Sequence, residues 1–165
     1  MPQTLAANDS RLTPHLMGAI STESTDDGVM AWRINYEEKV LYANELVMRA
    51  AMPAGVRVTF QSNTSMIEGT CDSVEERNRI DLVVDDKLAG SVDTESQTSF
   101  RFENLGSEAK NFELWLPQFG EFRLGGLTID DGAEISSAPT STTPKWTTYG
   151  SSITHCSTAD SPTQT

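Results

Sequence analysis

Apolar and polar residues alternate with a period of two through the middle of the chain. In "VRVTFQS", Val56, Val58 and Phe60 fall on one side of an extended segment, and Arg57 and Thr59 fall on the other. "RIDLVVDDKLAG" places Ile80, Leu82 and Val84 on one face, after which Asp85 and Asp86 supply hairpin-turn chemistry ahead of Leu88. "TSFRFENLG" repeats the pattern with Phe100 and Phe102 and closes at Gly106. "NFELWLPQFGEFRLGGLTID" holds two more strands, interrupted between Pro117 and Gly120, where proline removes a ladder donor and glycine accepts a positive φ. "NELVMRAAMP", from Asn44, suits a short helix or a strand edge and is read as strand. Helical period is otherwise almost absent. The strand spacing predicts an all-β chain, an antiparallel jelly roll or β-sandwich over residues 31–135. Residues 1–30 show no sustained period and are expected to form a poorly patterned leader, with "STESTDDG" as a loop.

The composition changes at residue 136. "SSAPTSTTPKW" is rich in serine, threonine and proline, and residues 136–145 read as a linker whose prolines favour extended backbone. The stretch that follows, "WTTYGSSITHC", carries Trp146 and Tyr149, which do not belong in a disordered tail unless they pack.

Length and charge narrow the classes. The 165 residues suffice for one well-buried domain. A net charge of -12 argues against a nucleic-acid backbone or an anionic membrane surface as partner. Acidic runs such as "DLVVDD" are expected on turns and solvated strand faces. The first twenty residues lack the basic start and apolar core of a secretory signal, and no stretch is long enough to span a bilayer, so a cytoplasmic protein is expected. Cys71 and Cys156 have no companion at metal-ligand or redox spacing and are read as reduced thiols. Neither a metal nor a cofactor is expected.

"WTTYGSSITH" resembles the first sequence block of the SGNH (GDSL-like) serine hydrolases, where a parallel strand runs into a Gly-x-Ser turn that opens a helix. "MPAGVRVTF", "DLVVDD", "ELWLPQFGEFRLGGLTIDDGA" and the linker are similar to the amino-terminal β-sandwich of a bacterial subgroup of that family. The resemblance implies that residues 146–165 are the first strand and nucleophile turn of an α/β catalytic domain whose remainder is missing. It makes Ser152 the nucleophile and its backbone N–H an oxyanion-hole donor, with Gly150 and Ser151 forming the turn. The family usually has Asp where this chain has Ser151, and the following Ile153-Thr154 keeps the register on Ser152. The catalytic His and Asp, with two further oxyanion donors, would come from later blocks. His155 lies too near Ser152 in sequence to be the base, and His15 sits in unpatterned sequence.

Three functions follow: the leading part of an esterase or acyltransferase acting on an ester substrate, inactive as it stands; a carbohydrate-binding sandwich; or a purely structural module. Alternation in "NFELWLPQF" sends Trp115 outward with Glu113, so an apolar patch at Trp115, Pro117 and Phe119 is expected. Contact with the catalytic domain is favoured there over a sugar platform.

Overall fold

The computed structural model describes residues 1–73, 79–139 and 159–164. Two antiparallel sheets face each other. The first contains β1 (Gln3–Ala6), β3 (Ser21–Thr25), β4 (Gly28–Trp32), β6 (Ile67–Ser73), β9 (Ser99–Phe102) and β11 (Phe122–Ile129). Its order is β3-β4-β11-β6-β9, with β1 also paired to β11. The second contains β2 (Leu16–Met17), β5 (Arg57–Ser62), β7 (Arg79–Val84), β8 (Lys87–Asp93), β10 (Lys110–Trp115) and β12 (Ser136–Ser137). Its order is β12-β5-β10-β7-β8, and β2 also pairs with β5. This is the all-β sandwich that the alternation predicts.

The inward residues are the expected ones. Val56, Val58, Phe60, Ile80, Leu82, Phe100, Phe102, Phe112, Leu114 and Leu116 are buried in one cluster with Phe122, Leu124, Leu127 and Ile129. Phe60 and Phe112, directly paired across β5 and β10, stack with centroids 5.3 Å apart. Asp85 and Asp86 turn the β7–β8 hairpin with φ of 46° and 63°, the left-handed pair that such a turn demands. Below the loops at one end, Asp130 accepts from the Ser65 amide at 2.6 Å and hydroxyl at 2.7 Å. The buried Lys110 ammonium donates to the carbonyls of Thr64, Gly106 and Glu108, so its charge is met by fixed dipoles.

Two expectations are corrected. The first thirty residues form strands: Gln3–Ala6 pairs with β11, Leu16–Met17 with β5, and Ser21–Thr25 with β4. The sequence of β3, "STEST", is polar on both faces, so no period is visible, and pairing to a neighbour supplies what composition lacks. The segment read as a strand, Asn44–Ala50, is an α-helix, α1. Val47, Ala50 and Ala51 recur at spacings of three and four and pack on Met30 and Trp32, while Glu45 and Arg49 complement the dipole at its two ends.

Candidate functional site at the outer face of the second sheet

The register of the second sheet sets one transverse row. Arg57 on β5 pairs with Trp115 on β10, Trp115 with Asp81 on β7, and Asp81 with Ser91 on β8. Directly opposed side chains on one face of a sheet stand about 5 Å apart, so these four form a line across the outer surface. Trp115 points outward with Glu113, as its alternation predicts, and both are half-buried. The Arg57 guanidinium lies over the indole, 4.5 Å from its centroid. Arg57 Nε also meets Glu113 Oε2 at 3.2 Å.

Asp81 departs from the expectation that such acids are solvated. It alternates outward between the core residues Ile80 and Leu82, yet it is completely inaccessible. The cover is Ser161, Pro162 and Thr163, of which Ser161 and Pro162 are buried. Thr163 donates twice to Asp81 Oδ2, from its hydroxyl at 2.6 Å and its amide at 3.0 Å. Burial raises the Asp81 carboxyl, but the Ser91 hydroxyl and then the Thr163 hydroxyl, the Thr163 amide and the Ser161 hydroxyl favour its charge more, and it ends below the usual carboxylate range. Among the described contacts, the two Thr163 bonds are the ones at hydrogen-bond geometry; the Ser91 and Ser161 hydroxyls act on the carboxylate from nearby without meeting that geometry, so Asp81 Oδ1 and Ser161 Oγ, like Trp115 Nε1, are buried without a formal partner.

The expected apolar patch is corrected in part. Pro117 is buried where the chain turns from β10 to β11, so it leaves the patch, while Phe119 is half-buried as Trp115 is. Gly150, Ser151 and Ser152 lie outside the described residues, as do Trp146, His155 and Cys156. Sequence reasoning missed Asp81 altogether. The only signal was an acid at an outward position two strands' breadth from Arg57, and nothing local reveals what covers it.

The other surfaces offer less chemistry. A polar cleft of about 320 Å³ lies on the first sheet between Ala6–Asn8 and Thr25–Gly28, lined by Asp26, Asp27 and Thr70. No group of three metal-ligating side chains occurs among the described residues. Cys71 is a free, buried thiol whose pKa burial pushes up to about 11, with Asp72 adding to the shift, so it is poorly suited to nucleophilic work. His15 is buried in a 3-10 turn, Thr13–His15. No described helix is long and apolar enough to cross a membrane.

A family model described as SsfX3, N-terminal domain, matches residues 14–125. No curated protein matches the sequence. Among solved structures, the chain is similar to the salicylyl-acyltransferase SsfX3 from a tetracycline biosynthetic pathway, with TM-score 0.76 and 24% identity over 85% of this chain and 42% of that one. A protein described as a GDSL-like lipase from Bacteroides ovatus ATCC 8483 gives TM-score 0.63 and 17% identity over 83% of this chain and 43% of that one. A family two carbohydrate esterase from Cellvibrio japonicus gives 0.57 and 19% over 85% and 36%. At these identities the likeness concerns the fold. The chain spans less than half the length of each of these three relatives.

Proposed function

The chain belongs to the SsfX3 N-terminal domain family, and from that premise we propose that it is the amino-terminal module of an SGNH-type serine esterase or acyltransferase. The sandwich precedes a linker over 136–145, whose first two residues, Ser136 and Ser137, still belong to the sandwich as β12, and then, over 146–165, the first strand and nucleophile turn of the catalytic domain. Ser152 Oγ attacks the carbonyl of an ester substrate, its own amide helps hold the oxyanion, and Gly150 and Ser151 shape the turn. The base, its carboxylate partner and two further oxyanion donors belong to the rest of that domain. No cofactor enters this chemistry, and cytoplasmic residence is part of the same proposal.

One observation carries the reading. The chain is fixed to the second sheet on both sides of the Gly150–Ser152 turn: Ser136 and Ser137 pair with Gln61 and Phe60 before it, and Thr163 bonds Asp81 after it. A sandwich that grips its sequel at two points suits a module built to sit beside a catalytic domain. A sugar platform is less well supported, because stacking on a pyranose needs an open ring face. The Trp115 face is taken by Arg57, and Trp32 is buried.

The test is turnover of p-nitrophenyl acetate by this chain, by the full-length protein and by its Ser152→Ala variant. The chain alone is expected to be inactive, because an isolated serine has no base. The full-length protein should be active and Ser152→Ala should abolish that activity. Full activity in the Ala variant would refute the reading.

A further inference from the structure

We propose that one end of the sandwich, where Met17, Ile20, Val40, Leu41, Leu46 and Met48 stand exposed, is the seat of the catalytic domain. The proposal rests on the reading above, because it needs that domain to exist, and it names the surface that the domain covers.

The apolar exposure is concentrated. Among the described residues nine large apolar side chains are exposed, and seven of them are those six and Tyr42. The strand registers gather them at one end. Met17 pairs with Arg57 at the start of β5, and Arg57 with Trp115 at the close of β10. Met30 of β4 pairs with Arg123 at the start of β11, just after the turn from β10, so the close of β4 shares this end. There the Ile20 amide donates to the Trp32 carbonyl at 2.8 Å. Val40 and Leu41 lie on the 3-10 turn Tyr36–Leu41, and Leu46 and Met48 on α1, which packs on Trp32 and leads into β5. Between Val40 and Arg49, Val47 alone is even half-buried. The other two exposed residues belong to the opposite end: the Met1 ammonium meets Asp131 beyond the close of β11, and Leu88 follows the tip of the β7–β8 hairpin. Soluble monomers rarely leave so contiguous an apolar surface in water, and such a surface marks a contact.

Two features identify the occupant. The chain leaves the sandwich toward this end: Ser136 pairs with Gln61 and Ser137 with Phe60, so its course along β5 runs toward Arg57. Thr163 comes down at the same level, since it bonds Asp81 and Asp81 pairs with Trp115. Residues 138–145 reach at most about 29 Å when extended, which keeps a domain beginning at 146 close to the patch. Charge is the second feature. A net charge of -12 sets one copy of this chain against another. Residues 33–52 are nonetheless balanced, with Arg33, Lys39 and Arg49 against Glu37, Glu38 and Glu45, so the patch itself repels neither sign. A tethered domain meets it at an effective concentration of roughly millimolar order, and a free copy does not.

Peroxide oxidation of Met48 tests the seat, with free methionine as the internal standard. Met48 should react readily in this chain and about tenfold or more slowly in the full-length protein, because oxidation follows exposure. Equal rates in the two proteins would overturn the proposal. So would slowing in this chain that grows with its concentration, since a second copy would then be the occupant. Val40→Asp with Leu41→Asp should leave this chain's denaturant midpoint unchanged, both side chains being already in solvent. In the full-length protein the same pair should bring Met48 oxidation to within about twofold of its rate in this chain. Oxidation that stays slow in that variant would also overturn the seat. Neither readout uses catalysis. A covered Met48 in a protein without esterase activity would sink the hydrolase reading alone, and an open Met48 in an active esterase would sink the seat alone.

Discussion

Each outer face of the sandwich carries a tryptophan, and the two faces are finished differently. On the first sheet Trp32 is covered by α1 and the turn before it, with Tyr36 5.3 Å away by ring centroids and the Lys39 ammonium 3.9 Å over the Tyr36 ring. Its indole N–H donates to Glu23 Oε2 at 3.1 Å, and the Tyr36 hydroxyl donates to Glu23 Oε1 at 2.6 Å. On the second sheet Trp115 has a cation for cover and no acceptor for its N–H, and Asp81 keeps one oxygen unmet. The residues between β4 and β5 close one face with the domain's own chain. The other face is closed only at the point where Thr163 lands. The first face buries its tryptophan under the chain's own segment, which itself leaves Val40, Leu41, Leu46 and Met48 exposed, and the second leaves its tryptophan half-buried.

The largest expected effect lies on the closed face. Trp32→Ala should destabilise the chain by about 3–5 kcal/mol, because it empties a buried ring site between α1 and β4. Trp115→Ala should cost well under half as much in this chain and more in the full-length protein. Denaturant midpoints of the two variants, measured side by side, check this. Equal losses in the short chain would erase the distinction between the faces.

Next comes Glu23→Ala, which strands two donors at once and should cost about 1–3 kcal/mol. Thermal unfolding at neutral pH reads it. A neutral result would mean that Trp32 and Tyr36 find water instead, and that the first face is less closed than its hydrogen bonds imply.

How much of this the sequence disclosed depends on whether the cause was local. The strands β5, β7, β9, β10 and β11 were legible because one buried face and one wetter face impose a period of two, and the outward aspect of Trp115 followed from the same rule. The β1–β3 strands were not legible: β1 and β2 are short and find their partners, β11 and β5, much later in the chain, while β3 pairs with β4 across the two-residue Asp26-Asp27 turn but has no apolar face to show a period. α1 was misread because a seven-residue helix offers two turns of pattern, too little to outweigh the strands around it. Asp81 was assigned to solvent for a different reason. Its burial is imposed by residues more than eighty positions later, which no window along the sequence can see. The Gly150-Ser151-Ser152 motif, expected to form a nucleophile turn, lies outside the described residues.

A smaller effect separates the faces by pH. The Asp81 carboxyl lies below the usual range in the folded chain, so its contribution to stability is fully present above the unfolded carboxylate pKa and is lost as pH falls through the folded value. Protection of the Thr163 amide against hydrogen exchange should therefore hold at pH 7 and decline below about pH 4, the ordinary aspartate value. Asp130 and Asp9 are also depressed, the first chiefly by the Ser65 hydroxyl and the second chiefly by the Arg11 side chain, and will add to acid sensitivity. The Asp81→Asn variant removes only the Asp81 share. The difference in Thr163 exchange between parent and variant should shrink toward zero as the solution is acidified. A difference that stays constant down to pH 2 would mean that the Asp81 charge does not hold Thr163.

The smallest expected effect is the one that asks what the second face is for. Arg57 and Glu113 form a partly exposed pair, with side chains 34% and 29% accessible, and such pairs contribute about 0–1 kcal/mol. The stacked guanidinium adds about 0.5–1 kcal/mol at a site of this exposure. Arg57→Ala should thus lower stability by about 0.5–2 kcal/mol, while uncovering one face of the Trp115 ring. If the face is an interface, the bared indole gains no affinity for sugars, and xylo- or cello-oligosaccharides leave its fluorescence unchanged in parent and variant alike. The variant should instead weaken the full-length protein more than this chain, because the cation that orients the ring against the incoming domain is gone. If the guanidinium were a lid on a sugar platform, removing it would let glycans quench or shift the indole emission, and Trp115→Phe in the same background would abolish the response. Titrating one oligosaccharide into Arg57→Ala therefore decides between an interface and a ligand surface at the same four side chains.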